Sequence, residues 1–157
     1  MHQNGDVAGD RSALDASRME SRAREDWDQT DRTVLPFAEQ LLLWSIRMTV
    51  VGMKSGSPTH HPVTVAFRKV GAEPAAEKVA MLVRILALGA LRPVQIATPC
   101  ALLLTPDEHS LLSVASLAQA RPPVDGALIM RPLLSPAACR AVPSDAPLLS
   151  ATRRGRS

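Results

Sequence analysis

Two cysteines, Cys100 and Cys139, and the histidines His60, His61 and His109 carry the donor atoms for a tetrahedral zinc site or an activated thiol. Structural zinc sites bring in a close pair such as Cys-x-x-Cys to fix two ligands on one turn, and the separation of Cys100 from His109 is too wide for that role. Nucleophilic catalysis finds no Gly-x-Ser-x-Gly elbow, and no neighbouring residue orients either thiol towards His109. The adjacent carboxylates Asp107 and Glu108 follow Thr105-Pro106, where both belong to the start of a helix. Residues 52–58, Gly-Met-Lys-Ser-Gly-Ser-Pro, lack the G-x-x-x-x-G-K-[ST] order of a phosphate loop and follow a helical stretch where a strand is needed. No catalytic, cofactor-binding or metal-ligating residue is therefore assigned, and no cofactor is implied.

The elements that would position any chemistry are helical. The chain has 157 residues, of which 46% are hydrophobic, enough for one domain with a core and too few to expect two. Residues 1–33 hold eight acidic and five basic side chains against seven and thirteen in the remainder, so the positive charge sits in the part with apolar patterning and in the tail. Of the eighteen basic residues fifteen are Arg, and Ala, Pro and Leu are abundant. This composition suits a GC-rich bacterial genome and removes Arg content as an argument for nucleic acid. The only aromatics are Trp27, Phe37, Trp44 and Phe67, which supply no stacking platform for a single strand. A polar N-terminus predicts no signal peptide, and with two cysteines a reducing, cytoplasmic setting. The apolar runs 41–51 and 79–91 are interrupted by Arg47 and Arg84 and fall short of the roughly 20 residues that span a bilayer, so no membrane insertion is expected.

Residues 1–33 have too few apolar side chains to offset the entropy of ordering and read as a disordered arm, with Trp27 as an apolar anchor should residues 12–27 fold on a partner. A helix from Pro36 to about Met53 carries Phe37, Leu41, Trp44, Met48 and Val51 on one stripe, widened by Leu42, Ile46 and Val50, with Gln40, Arg47 and Lys54 marking its wet edge. Residues 62–70 have the β-branched content of a strand, but Pro62 near the start and Gly71 at the close favour a short helix. The longest well-patterned helix spans residues 73–91. Val79, Leu82, Val83, Leu86 and Ala90 form one face, Met81, Ile85 and Leu88 a second, and Glu77 and Arg84 a thin charged strip. Such a helix belongs at the centre of a bundle, touched by the Pro36 and Pro106 helices on separate faces. Arg92-Pro93 stops it, and residues 94–99 read as a lone extended connector.

Leu104-Thr105-Pro106-Asp107-Glu108 opens the next helix, predicted to run to about Ala120, with Thr105 as N-cap and Glu108 reaching back to it. With Leu111 and Leu112 behind it, this stretch resembles the start of the helix-turn-helix in LuxR-type response regulators, which also begins Leu-Thr-Pro-x-Glu. The likeness implies a DNA-binding regulator. It covers about ten residues and then departs: Arg121-Pro122-Pro123 stands where that family has a Gly-containing turn, and Ala127-Leu128-Ile129-Met130 offers no basic side chain to bases or phosphates. Two short helical pieces over 124–134 and 136–142 follow, then a flexible basic tail over 143–157.

The expected architecture is mostly α, a small irregular bundle of about five to six helices over residues 34–142. By elimination the expected function is non-catalytic, that of an adaptor, regulator or subunit acting through contact with a protein partner or a second copy, because two nearly all-round apolar helices are hard to cover in so small a domain. The alternative is a DNA-binding transcriptional regulator using the Thr105 helix, and an enzyme with an unplaced Cys or His ranks third.

Overall fold

The computed structural model describes residues 30–117 and 130–141. Residues 1–29 of the disordered arm expected over 1–33, the last turn of the Thr105 helix over 118–120, most of the piece expected over 124–134, and the tail over 143–157 lie outside the described residues. Residues 30–33 are ordered against the connector, the Arg32 N–H donating to Leu102 O and the Leu104 N–H to Thr30 O. Of the described residues 67% are helical and none lies in a strand, so the fold is a mostly α, small helical bundle. A single 3-10 turn, Arg32–Val34, precedes α1 (Phe37–Ser55), α2 (His60–Lys69), α3 (Pro74–Gly89), α4 (Pro106–Leu117) and α5 (Pro136–Ala141).

Local chemistry explains where these helices start and stop. Pro36 is the N-cap residue of α1 in extended backbone, and its carbonyl accepts the Gln40 N–H. Residues 62–69 are helical, as the Pro62 and Gly71 signals favoured, within a helix that starts at His60 and has Val70 as its C-cap. Its C-terminus closes as a Schellman motif: the Ala72 N–H donates to Phe67 O at 2.8 Å and the Gly71 N–H to Arg68 O at 3.0 Å. That closure needs the left-handed φ of +72° at Gly71. Phe67 and Ala72, the two residues the motif brings together, are both buried in the core.

Two apolar clusters share the interior. The larger joins Leu42, Leu43 and Ile46 of α1, Val63 and Phe67 of α2, Val79 and Val83 of α3, and Leu104, Leu112 and Ala115 at α4. The smaller gathers Leu86, Leu111, Met130, Leu133, Leu134 and Cys139. Leu82 of α3 and Ile96 of the connector pack against both. The α3 helix lies against α1, α2 and α5, while α4 packs on α1. Beside the expected neighbour α1, α3 is covered chiefly by α2 and α5; it shares the larger cluster with the Pro106 helix through Val83 and Leu112 and the smaller through Leu86 and Leu111, and Ile96 of the connector packs against both. At Gly89 α5 comes close to α3, with Ala138 against the glycine backbone where a Cβ would collide.

The innermost stripe of α1 also differs from expectation. Leu42, Leu43, Ile46 and Arg47 are fully buried, whereas Leu41, Trp44 and Met48 are half-buried and Phe37 and Val51 exposed. A helix with apolar residues around most of its circumference leaves its rotation undetermined by periodicity, and here a buried ion pair sets it.

Candidate functional site

The side chains with catalytic or metal-binding atoms are dispersed. Cys100 is exposed on the connector and Cys139 is buried in α5, both as free thiols. His60 and His61 are exposed at the start of α2, and His109 is half-buried in α4. Among the described residues no group of three or more His, Cys, Asp or Glu is placed to hold a metal ion.

What the structure does assemble is a buried polar junction. Arg47, expected at a wet edge, is 1% exposed, and its guanidinium donates from Nε to Glu108 Oε1 at 2.8 Å and from Nη2 to Glu108 Oε2 at 2.9 Å. The same fork donates to the carbonyls of Ala101 at 2.6 Å and Leu103 at 2.9 Å. Glu108 in turn accepts the backbone N–H groups of Ala97 at 3.0 Å and Thr105 at 2.9 Å. The capping box is present as read: the Glu108 N–H donates to Thr105 Oγ1 at 3.1 Å, so Glu108 both caps α4 and neutralises Arg47. Sequence reasoning missed the second role. The available signal was that Arg47 follows Leu43 by one helical turn and has no acidic residue three or four positions away, so its partner had to come from elsewhere.

A second pair sits at the rim. Arg92 holds Asp107 with both guanidinium arms, Nη2 to Oδ1 at 2.6 Å and Nη1 to Oδ2 at 2.9 Å, and the Gln95 N–H donates to Oδ2 at 2.8 Å. Burial pushes the Asp107 carboxyl up, but the Arg92 and Gln95 donors outweigh it and hold the group below the usual carboxylate range. A carboxylate depressed in the folded state contributes stability that is present above its unfolded value near about 3.9 and lost as pH falls through the folded value. Acid titration of stability should therefore show a loss below about pH 4 that Asp107→Asn reduces, at a cost of about 1 kcal/mol at neutral pH because Arg92 is half-exposed.

Every buried side-chain nitrogen and oxygen among the described residues has a partner. The junction thus has no polar group left over for a substrate, and its chemistry is structural: its side chains pin the residue 92–105 connector to α1 and α4. Thr105 illustrates this, since its hydroxyl also donates to Gln95 O at 2.6 Å. Thr105→Ala should lose about 1 kcal/mol in urea unfolding, through the cap and that connector bond together.

An open cleft of about 390 Å³ lies between α1 and α4, floored by Leu35 and Leu112 and rimmed by Glu39, His109, Ser113 and Ser116. Ser113 Oγ is 3.4 Å from His109 Nδ1, but the hydroxyl donates to its own helix at His109 O, 2.9 Å away, and Ser116 donates to Glu39 Oε1 at 3.1 Å. Hydroxyls used in this way are not activated nucleophiles.

The remaining feature is a surface. On α3 the face of Val79, Val83 and Leu86 is buried as expected, while of the second apolar face Ile85 is half-buried, Met81 is 49% exposed and Leu88 is 90% exposed. Just past the helix Leu91 is 62% exposed. Glu77 and Arg84 are exposed on the same side and make no ion pair or side-chain hydrogen bond among the described residues. Among the described residues no helix is long and apolar enough to cross a membrane. No protein-family model, curated protein or solved structure matches the chain.

Proposed function

We propose that the chain is a non-catalytic cytoplasmic protein that works through protein–protein contact, as an adaptor, regulator or subunit, and that the exposed ridge of α3 is its contact surface. The observation that carries this is Leu88, almost fully exposed on a helix whose other faces are buried by three neighbouring elements. Two exposed apolar side chains on one helix, Met81 and Leu88, interleaved with the charges of Glu77 and Arg84 and with Leu91 exposed just past its end, have the make-up of a groove-binding or helix-pairing face. The polar junction supports the reading by contrast, since its buried groups satisfy one another and hold the scaffold rigid.

Tagged chain expressed in its own host tests this. The wild type should retain a second polypeptide, either a different protein or an untagged copy, and Leu88→Asp should release it with an unchanged melting temperature, because so exposed a position tolerates substitution within about 0.5 kcal/mol. Wild type that elutes alone and is also monomeric at every concentration contradicts the proposal. A salt-sensitive shift of mixed-sequence DNA by the purified chain would instead favour the DNA-binding reading.

A further inference from the structure

The order of charges and apolar residues along the ridge suits antiparallel pairing of the helix with itself. Glu77 and Arg84 are seven positions apart, two helical turns or about 10.5 Å along the axis, and therefore lie on the same side of α3. Met81 falls between them, next to their midpoint, and Leu88 continues the row one turn further on. Both charges are exposed and unpaired within the described chain. When such a helix packs antiparallel on its own copy about a two-fold axis at that midpoint, Glu77 comes opposite Arg84 of the partner subunit and Arg84 opposite Glu77 of the partner subunit. The two Met81 side chains then meet at the axis, and each Leu88 reaches the exposed Pro74 at the start of the other helix.

From this self-complementary spacing we infer that the occupant of the ridge is a second copy of this chain, paired antiparallel through α3. This rests on the reading above that the ridge is a contact surface, and it names the partner. A two-fold interface must be complementary to itself, and a Glu–Met–Arg row with the methionine at its centre meets that condition using the ridge residues alone. A single helix face is at the small end of interface areas, below about 1,200 Å² in total, so the dimer is a weak one that populates with concentration. The exposed charges contribute orientation and specificity, and the methionine and leucine side chains the burial.

Charge exchange provides the test, because symmetry makes every substitution count twice. Light scattering and sedimentation of the purified full chain from about 10 μM to about 1 mM should show a monomer–dimer equilibrium for the wild type. Glu77→Arg alone places two Arg–Arg contacts in the dimer and Arg84→Glu alone two Glu–Glu contacts, so each should weaken association about tenfold or more. An equimolar mixture of these two variants should associate again, since one copy then carries arginine at both positions and the other glutamate at both, which restores both opposite-charge pairs. Circular dichroism melts of each variant confirm folding, which the exposure of both positions favours.

Single variants that dimerise like the wild type, or a mixture that stays monomeric, overturn the antiparallel pairing. Wild type that is monomeric at every concentration also overturns it. If in that case Leu88→Asp still releases a different retained polypeptide, the contact reading stands and only the second copy is lost; if nothing is retained either, both fall.

Discussion

Arg47→Met should destabilise the domain by about 3–5 kcal/mol in urea unfolding, the cost of leaving a buried carboxylate without its counter-charge. Against a total of about 5–15 kcal/mol for a domain, and about 4–8 °C of melting temperature per kcal/mol for a folded part of this size, that is a drop of roughly 12–40 °C or outright unfolding. Three losses act together. Glu108 remains fully buried with its negative charge uncompensated, the carbonyls of Ala101 and Leu103 lose their donors, and the connector is no longer tied to α1. Arg47→Lys should recover only part of this, because one ammonium cannot reproduce a planar fork that serves both carboxylate oxygens and two carbonyls. Replacing both partners, Arg47→Met with Glu108→Met, removes the charge problem but leaves the Ala97 and Thr105 N–H groups unpaired as well. The double variant should therefore stay well below wild type, unlike an isolated buried pair whose apolar replacement is often neutral. An Arg47→Met melt within a few degrees of wild type would contradict the structural role assigned to the junction.

The reach of the sequence is clear from the same residue. Helix boundaries were legible wherever a local device sets them: the Thr105–Glu108 capping box, the glycine that closes α2, and Arg92-Pro93 after α3. These act over three to five positions, and reading along the chain captures them. Arg47 and Glu108 are 61 positions apart, and each had an adequate local explanation, a wet edge for one and a cap for the other. Nothing in either local explanation required a partner, so the pairing appears only when α1 and α4 are brought together. For α3 the faces were legible but not their coverage. Periodicity grouped Met81 with Leu88 and set Glu77 with Arg84, and only packing shows that these two groups form one exposed ridge.

Gly52→Ala should destabilise by about 2 kcal/mol and lower the melting temperature by about 10 °C, although alanine is the better helix former by about 1 kcal/mol. The reversal from α1 into α2 folds back onto the Gly52 backbone. A Cβ there would collide with Thr59 Oγ1, stand 2.9 Å from Ser57 O and 3.0 Å from Thr59 Cβ. The Thr59 side chain can rotate, but the Ser57 carbonyl belongs to a turn fixed by the Thr59 N–H bond to it at 2.8 Å and cannot yield without moving α2. Gly52→Ala combined with Thr59→Ala should accordingly regain part of the loss and not all of it. A Gly52→Ala protein more stable than wild type would mean that helix propensity, and not this close approach, governs the position.

The central claim is that the α3 ridge is covered when the protein is at work. Met81 and Met53 are 49% and 50% exposed in the isolated chain, one on the ridge and the other near the end of α1, so they form an internal pair for measuring coverage. Mild peroxide oxidation, read by mass spectrometry of the two peptides, should modify both at similar rates in dilute purified protein. In concentrated protein or in extract of the native host, Met81 should be protected severalfold relative to Met53, and the protection should disappear in Leu88→Asp. Equal oxidation of Met81 and Met53 under all of these conditions would show that nothing covers the ridge and would contradict the account.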